Sequence, residues 1–251
     1  LALEGFDRLD TLAAFDRWLA ADDASPARAS PWVAGCDFPF GLPRDFLAAQ
    51  GWDRDWAGSI AAVAALSRAD LVDRCRAFCA ARPMGARFAH RATDRPAGSS
   101  PSMKWVNPPV VLMLHAGATR LAAAGVDLPG LRRGDPSRVA LEAYPGMLAR
   151  ELLGRRSYKN DDPRRDDAGR REARATLVSR LRRGDHRLAI PVTLDEAQVD
   201  ALVAESSADS LDAVICAVQA AWGWQRRDRR YGLPDAIDPL EGWIVSAPSE
   251  P

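Results

Sequence analysis

The stretch WVAGCDFPFGLPRDF, residues 32–46, decides how the chain is read. Trp32 to Cys36 are apolar throughout and too few for a helix. That pattern fits a strand covered on both faces, as at the centre of a mixed or parallel sheet. The run stops at Asp37, and Pro39, Gly41 and Pro43 then extend neither a helix nor a strand. In open α/β sheets, ligands bind beyond the carboxyl ends of the strands. A carboxylate at such an end faces a crevice, and the Pro/Gly turn leaves it accessible.

The construction recurs. RVAL, residues 138–141, is followed by Glu142, then by Pro145 and Gly146. A third acidic segment opens the helix expected after Ser207. There Leu211, Val214, Ile215, Val218 and Trp222 form an apolar stripe, and Asp209 and Asp212 lie three apart on the helix surface. Asp212 sits at the edge of the stripe, where a charge is costly. Each acid also has a plainer reading: Asp37 as an acceptor for its turn, Asp209 as a cap, and Asp212 as a first-turn carboxylate favoured by the helix dipole. Brought together, these carboxylates repel unless a cation sits among them. Hard oxygen ligands in a chain with 3 histidines favour Mg²⁺ or Mn²⁺ over zinc. Two such ions can activate water and stabilise the leaving oxygen of a phosphodiester.

Composition bounds the rest. A chain of 251 residues, 47% of them hydrophobic, fits a single domain over 1–251 with a mainly helical insertion at about 48–130. Basic and acidic residues balance at 34 each, which excludes a global basic footprint for nucleic acid. Cys36, Cys75, Cys79 and Cys216 form no CxxC pair and have no histidine at ligand spacing. The expectation is therefore reduced thiols in a cytoplasmic protein, with neither zinc nor disulfides. The longest apolar run, residues 108–118, is too short to cross a bilayer, so no membrane association is expected. Nine arginines between Arg164 and Arg187, set against Asp166, Asp167, Glu172 and Asp185, read as a solvated helix face, with a phosphate-contacting patch as the alternative.

Along the chain, residues 1–9 read as a short strand, followed by a helix over Thr11–Ala20 capped by Asp10, and residues 23–31 as a Ser/Pro/Ala loop. Two helices between Asp55 and Arg82 break near 67–70. Residues 85–107 are polar and irregular, the pattern of a mobile loop over a site. Helices follow over 109–124 and 147–153, with a strand at RVALE between them. A charged stretch over 154–174 leads into a helix ending near Arg183. Thr193 is expected to cap the next helix, with Glu196 at the capping-box position. EGWIVSAP, from Glu241, reads as a closing strand. Alternating strands and helices give an α/β fold.

At its acidic positions the sequence resembles the predicted nucleases with a ribonuclease-H-like fold catalogued as domain of unknown function 429. CDFPFGLPR matches that family's Asp-x-Pro-x-Gly-Leu-Pro signature, LEAYPG its Glu-x-His-Pro signature, SYKN the segment after it, and DSLDAVICAVQAAW its closing Asp-x-x-Asp-Ala helix. The resemblance covers about residues 30–247. It implies a ribonuclease-H-like mixed sheet flanked by helices, with two metals held by acids on the first strand, the fourth strand and the final helix. Carried over, Asp37 is the fourth-strand acid and Asp212 the final-helix acid, with Asp209 beside it. Glu142 is the family's additional acid, and Lys159 the lysine of its Tyr-Lys segment.

Two departures stand out. Tyr144 occupies a position where many relatives have histidine. Only about one strand precedes the first helix, so the first strand and its Asp are expected to be missing from this chain, leaving it poorly stable and inactive on its own. Asp7 has no room for the strands that would have to follow it.

The resulting expectation is a metal-dependent nuclease. Asp37, Glu142, Asp209 and Asp212 would bind Mg²⁺ or Mn²⁺, with Asp37, Glu142 and Asp212 catalytic. Arg44 and Lys159 would hold phosphate. The alternatives are a non-catalytic ribonuclease-H-like module that binds nucleic acid or a protein partner, and a hydrolase of small phosphorylated molecules.

Overall fold

The computed structural model describes residues 1–20 and 31–249; the loop expected at 23–31 lies, Pro31 apart, outside the described residues. Strand β1 (Trp32–Cys36) pairs in parallel with β3 (Asp135–Glu142), which pairs in parallel with the two-residue β2 (Val126–Asp127). The order is β1-β3-β2, so β3 is the central strand of this small sheet and β1 an edge among the described residues. The sheet is wholly parallel there, not mixed. Parallel pairing requires a long crossover, and the chain supplies one: α2 (Arg44–Gln50), α3 (Trp56–Ala64), α4 (Arg68–Ala80), α5 (Asp94–Ala97) and α6 (Val110–Ala123) all lie between β1 and β3.

The sheet is sandwiched because its strands present apolar residues on both faces. Trp32, Cys36 and Ala140 join a large core built from α2, α3, α4 and α6 and from α1 (Leu12–Ala20). Val33, Val139 and Leu141 face the other way, against Cys216 and Val245. Cys216 belongs to α10 (Asp209–Trp224), which lies directly on β1. A Cβ on Gly35 would sit 2.2 Å from the Cys216 carbonyl oxygen, so only glycine lets α10 approach this closely. Behind α10 a second core joins α7 (Pro145–Leu153), α8 (Ala168–Arg183) and α9 (Glu196–Ala204).

Several local expectations are corrected. Thr11, not Asp10, caps α1, its hydroxyl accepting from Ala14 N at 3.0 Å. Residues 1–9 contribute a single bridge, Ala2 to Thr193, and Leu1 and Leu3 bond the Thr193 backbone. The cap of α9 is Asp195, not Thr193, and Gln198, not Glu196, completes the capping box. The segment at Glu241–Ser246 turns instead of forming a strand, and Val245 N donates to the Glu142 carbonyl at 2.7 Å. No helix among the described residues is long and apolar enough to cross a membrane.

Candidate active site

The register of the sheet separates the two strand-end acids. Cys36 pairs with Glu142, so the residue level with Asp37 is Ala143, one step further on. Successive side chains alternate between faces. Asp37 therefore turns with Gly35 toward α10, whereas Glu142 turns with Cys36 toward the crossover helices.

On that side Glu142 meets Arg91. The guanidinium donates to both carboxylate oxygens, at 2.7 and 2.8 Å, and Phe40 N adds a third bond at 2.9 Å. Arg91 also binds Asp94 at 2.9 and 3.0 Å and the Glu241 carbonyl at 3.1 Å. All three side chains are buried. The two carboxylates raise the pKa of Arg91 against the opposing effect of burial and hold it charged. Glu142, expected as a metal ligand, is here the counter-ion of Arg91. Within residues 85–107, expected as a mobile loop, Arg91 and Asp94 are held by this network, and Thr93, Ser102 and Met103 are also buried.

Toward α10 a different group forms. Asp212 is 6% exposed and accepts from Tyr158 Oη and from Lys159 Nζ, each at 2.6 Å. Burial raises the Asp212 pKa, an effect that Lys159 and Tyr158 partly offset. Burial likewise opposes the Lys159 charge, but Asp212 and then Asp37 more than compensate, so its pKa rises. Asp37 is partly buried and makes no side-chain hydrogen bond among the described residues. Burial first, then the charge of Asp212, lifts its carboxyl to about 6, while Lys159 pulls it down. Beside it, burial and then the charges of Asp37 and Glu142 push the Cys36 thiol up to about 12, which keeps it protonated and non-nucleophilic.

Asp37, Glu142 and Lys159 line one cleft of about 520 Å³. Asp209 is exposed one turn from Asp212 and accepts from Ser207 Oγ at 2.9 Å. Arg44, expected to hold phosphate, is not part of the cleft's lining and forms a two-pronged pair with Asp238, 2.9 Å for the longer bond. Arg150 and Arg156 line the cleft instead.

Sequence reasoning missed Tyr158, Arg91 and Arg174. Arg174 is fully buried and binds Asp166 twice at 2.9 Å and the Tyr158 carbonyl at 2.9 Å, which fixes the Tyr158–Lys159 segment under Asp212. Its signal was available: Arg174 shares an i, i+3, i+4, i+7 stripe with Leu177, Val178 and Leu181. The remaining arginines of the 164–187 run are largely paired, for example Arg164 with Asp162 and Arg187 with Glu151, as a solvated face would be.

The donors set limits on a metal. Among the described residues, no group of three or more His, Cys, Asp or Glu side chains is arranged to hold an ion. A two-ion centre that includes Glu142 does not fit. Asp37, which makes no side-chain hydrogen bond among the described residues, and Asp212 are the carboxylates that would hold a single divalent cation, and Lys159, bonded to Asp212 and 44% exposed, would have to swing away.

The sequence pattern of a family described as "Protein of unknown function (DUF429)" matches residues 1–238. The chain belongs to the DUF429 family. No curated protein and no solved structure matches this DUF429 chain.

Proposed function

We propose that this DUF429 protein hydrolyses phosphate esters, with nucleic-acid phosphodiesters as the leading substrate class and a ribonuclease-H-like arrangement of its sheet and α10. One observation carries the reading. Asp37 from the end of β1 and Lys159 from the loop after α7 line one cleft, and Lys159 bonds Asp212 from the first turn of α10, although 122 residues separate the first pair and 53 the second in sequence. Partly buried charges with shifted pKa values in a cleft are where catalysis is expected. Asp37 accepts a proton from an attacking water. Lys159 and Arg156 neutralise phosphate oxygens, and Tyr158 orients Asp212. A single Mg²⁺ or Mn²⁺ held by Asp37 and Asp212 would polarise the phosphoryl oxygen and lower the pKa of bound water.

A second reading, binding without cleavage, draws support from the occupied oxygens of Glu142 and Asp212. The cleft's size supports the third, a hydrolase of small phosphorylated molecules.

The test is hydrolysis of bis(p-nitrophenyl) phosphate and of labelled oligonucleotides with Mg²⁺ or Mn²⁺. The expected result is metal-dependent turnover that falls at least about a hundredfold in Asp37→Asn. Turnover that survives both Asp37→Asn and Asp212→Asn would overturn the assignment, and salt-sensitive binding with no turnover would favour the second reading.

A further inference from the structure

The cleft's lining is chemically mixed. Asp37, Lys159 and Arg156 contribute charge to it. Arg156 is exposed, and its guanidinium has no partner among the described residues, unlike most arginines that follow it on α8 and in the preceding turn. Phe38, Pro108, Val110, Met113 and Ile244 contribute apolar surface. Tyr144 lines the cleft as well, with the Arg150 guanidinium over its ring, 5.5 Å from the ring centre. Apolar and aromatic side chains are the surfaces against which unpaired bases lie. The volume, about 520 Å³, is in the range that encloses one small molecule. A phosphate or sugar phosphate alone would satisfy the cations and leave the apolar lining unfilled. A base inside a duplex could enter only by leaving its stack.

From this we propose, building on the phosphate-ester reading above, that the cleft takes a single unpaired nucleotide, free or at the end of a strand. Its phosphate lies toward Lys159 and Arg156, and its base lies against the apolar wall.

Calorimetry on the intact protein with AMP, ribose 5-phosphate and inorganic phosphate tests this directly. AMP is expected to bind at least about tenfold tighter than ribose 5-phosphate, as one stacked base contributes. Arg156→Ala should weaken both by a similar factor. Met113→Asp should remove the preference for AMP and spare ribose 5-phosphate. Labelled duplexes separate the sources: tighter binding of an overhanging end than of a blunt one supports a strand end, and AMP binding with no such difference supports a free nucleotide. Equal affinity for AMP and ribose 5-phosphate, or blunt duplex binding as tight as the overhang with no binding of AMP, overturns the proposal. Hydrolysis without a preference for AMP removes this inference alone. A preference for AMP without hydrolysis keeps the pocket and removes the hydrolase reading.

Discussion

Burial lifts the Asp37 carboxyl to about 6, and Asp212 adds to the shift. Because the folded protein holds this proton more tightly than the unfolded chain, stability is fullest below the ordinary carboxylate pKa near 4 and is lost as pH rises through about 6. Asparagine mimics the protonated acid. Asp37→Asn should therefore be more stable than wild type, by on the order of 1–2 kcal/mol above pH 6, with the gain fading below about pH 4. Urea denaturation at pH 4 and pH 8 checks it. A loss of stability at pH 8 would mean that Asp37 serves its turn. A carboxylate that costs stability is the kind retained for function. The motif exposed this residue in the sequence, because a strand end, an acid and a Pro/Gly turn are all local features. Arg91 stayed hidden because its partner is fixed by tertiary packing: it reaches Glu142 across 51 residues.

Among the elements, β1 and β3 look alike in sequence, each an apolar run ending in an acid. The one-residue offset in their register sends Asp37 and Glu142 to opposite faces. Neither run alone contains that offset, which arises where the two strands pair. Glu142 then ties β3 to the segment carrying α5 through Arg91. Replacing it by glutamine strands a buried guanidinium, for which breaking a buried pair costs about 3–5 kcal/mol. Because Asp94 remains beside Arg91, Glu142→Gln should cost about 3 kcal/mol in chemical denaturation. A variant of normal stability that has lost metal binding would instead return Glu142 to the ligand set. The helices were legible from their 3.6-residue spacing. Their caps lie one or two residues from the expected positions, at Thr11 for α1 and Asp195 for α9.

For the whole molecule, two helical cores hold a small parallel sheet between them, and the cleft opens where the carboxyl ends of β1 and β3 meet α7 and the Tyr158–Lys159 loop, which bonds Asp212 of α10. The α/β class and this position at the strand ends were readable from the order of elements. The closing strand was not: Glu241–Ser246 has strand-like composition, but its backbone meets the Glu142 carbonyl and the Thr93 hydroxyl at isolated points and never runs alongside a strand. The central claim is that Asp37 and Asp212 share one cation site in which Lys159 is the resident charge. Calorimetric titration of Mn²⁺ into wild type, Asp37→Asn and Lys159→Met measures it directly. The account predicts one site in wild type, its loss in Asp37→Asn, and affinity about tenfold higher in Lys159→Met, since a charged hydrogen bond no longer has to be broken. Binding that is indifferent to Asp37→Asn, or no binding by any of the three at millimolar Mn²⁺, would contradict it.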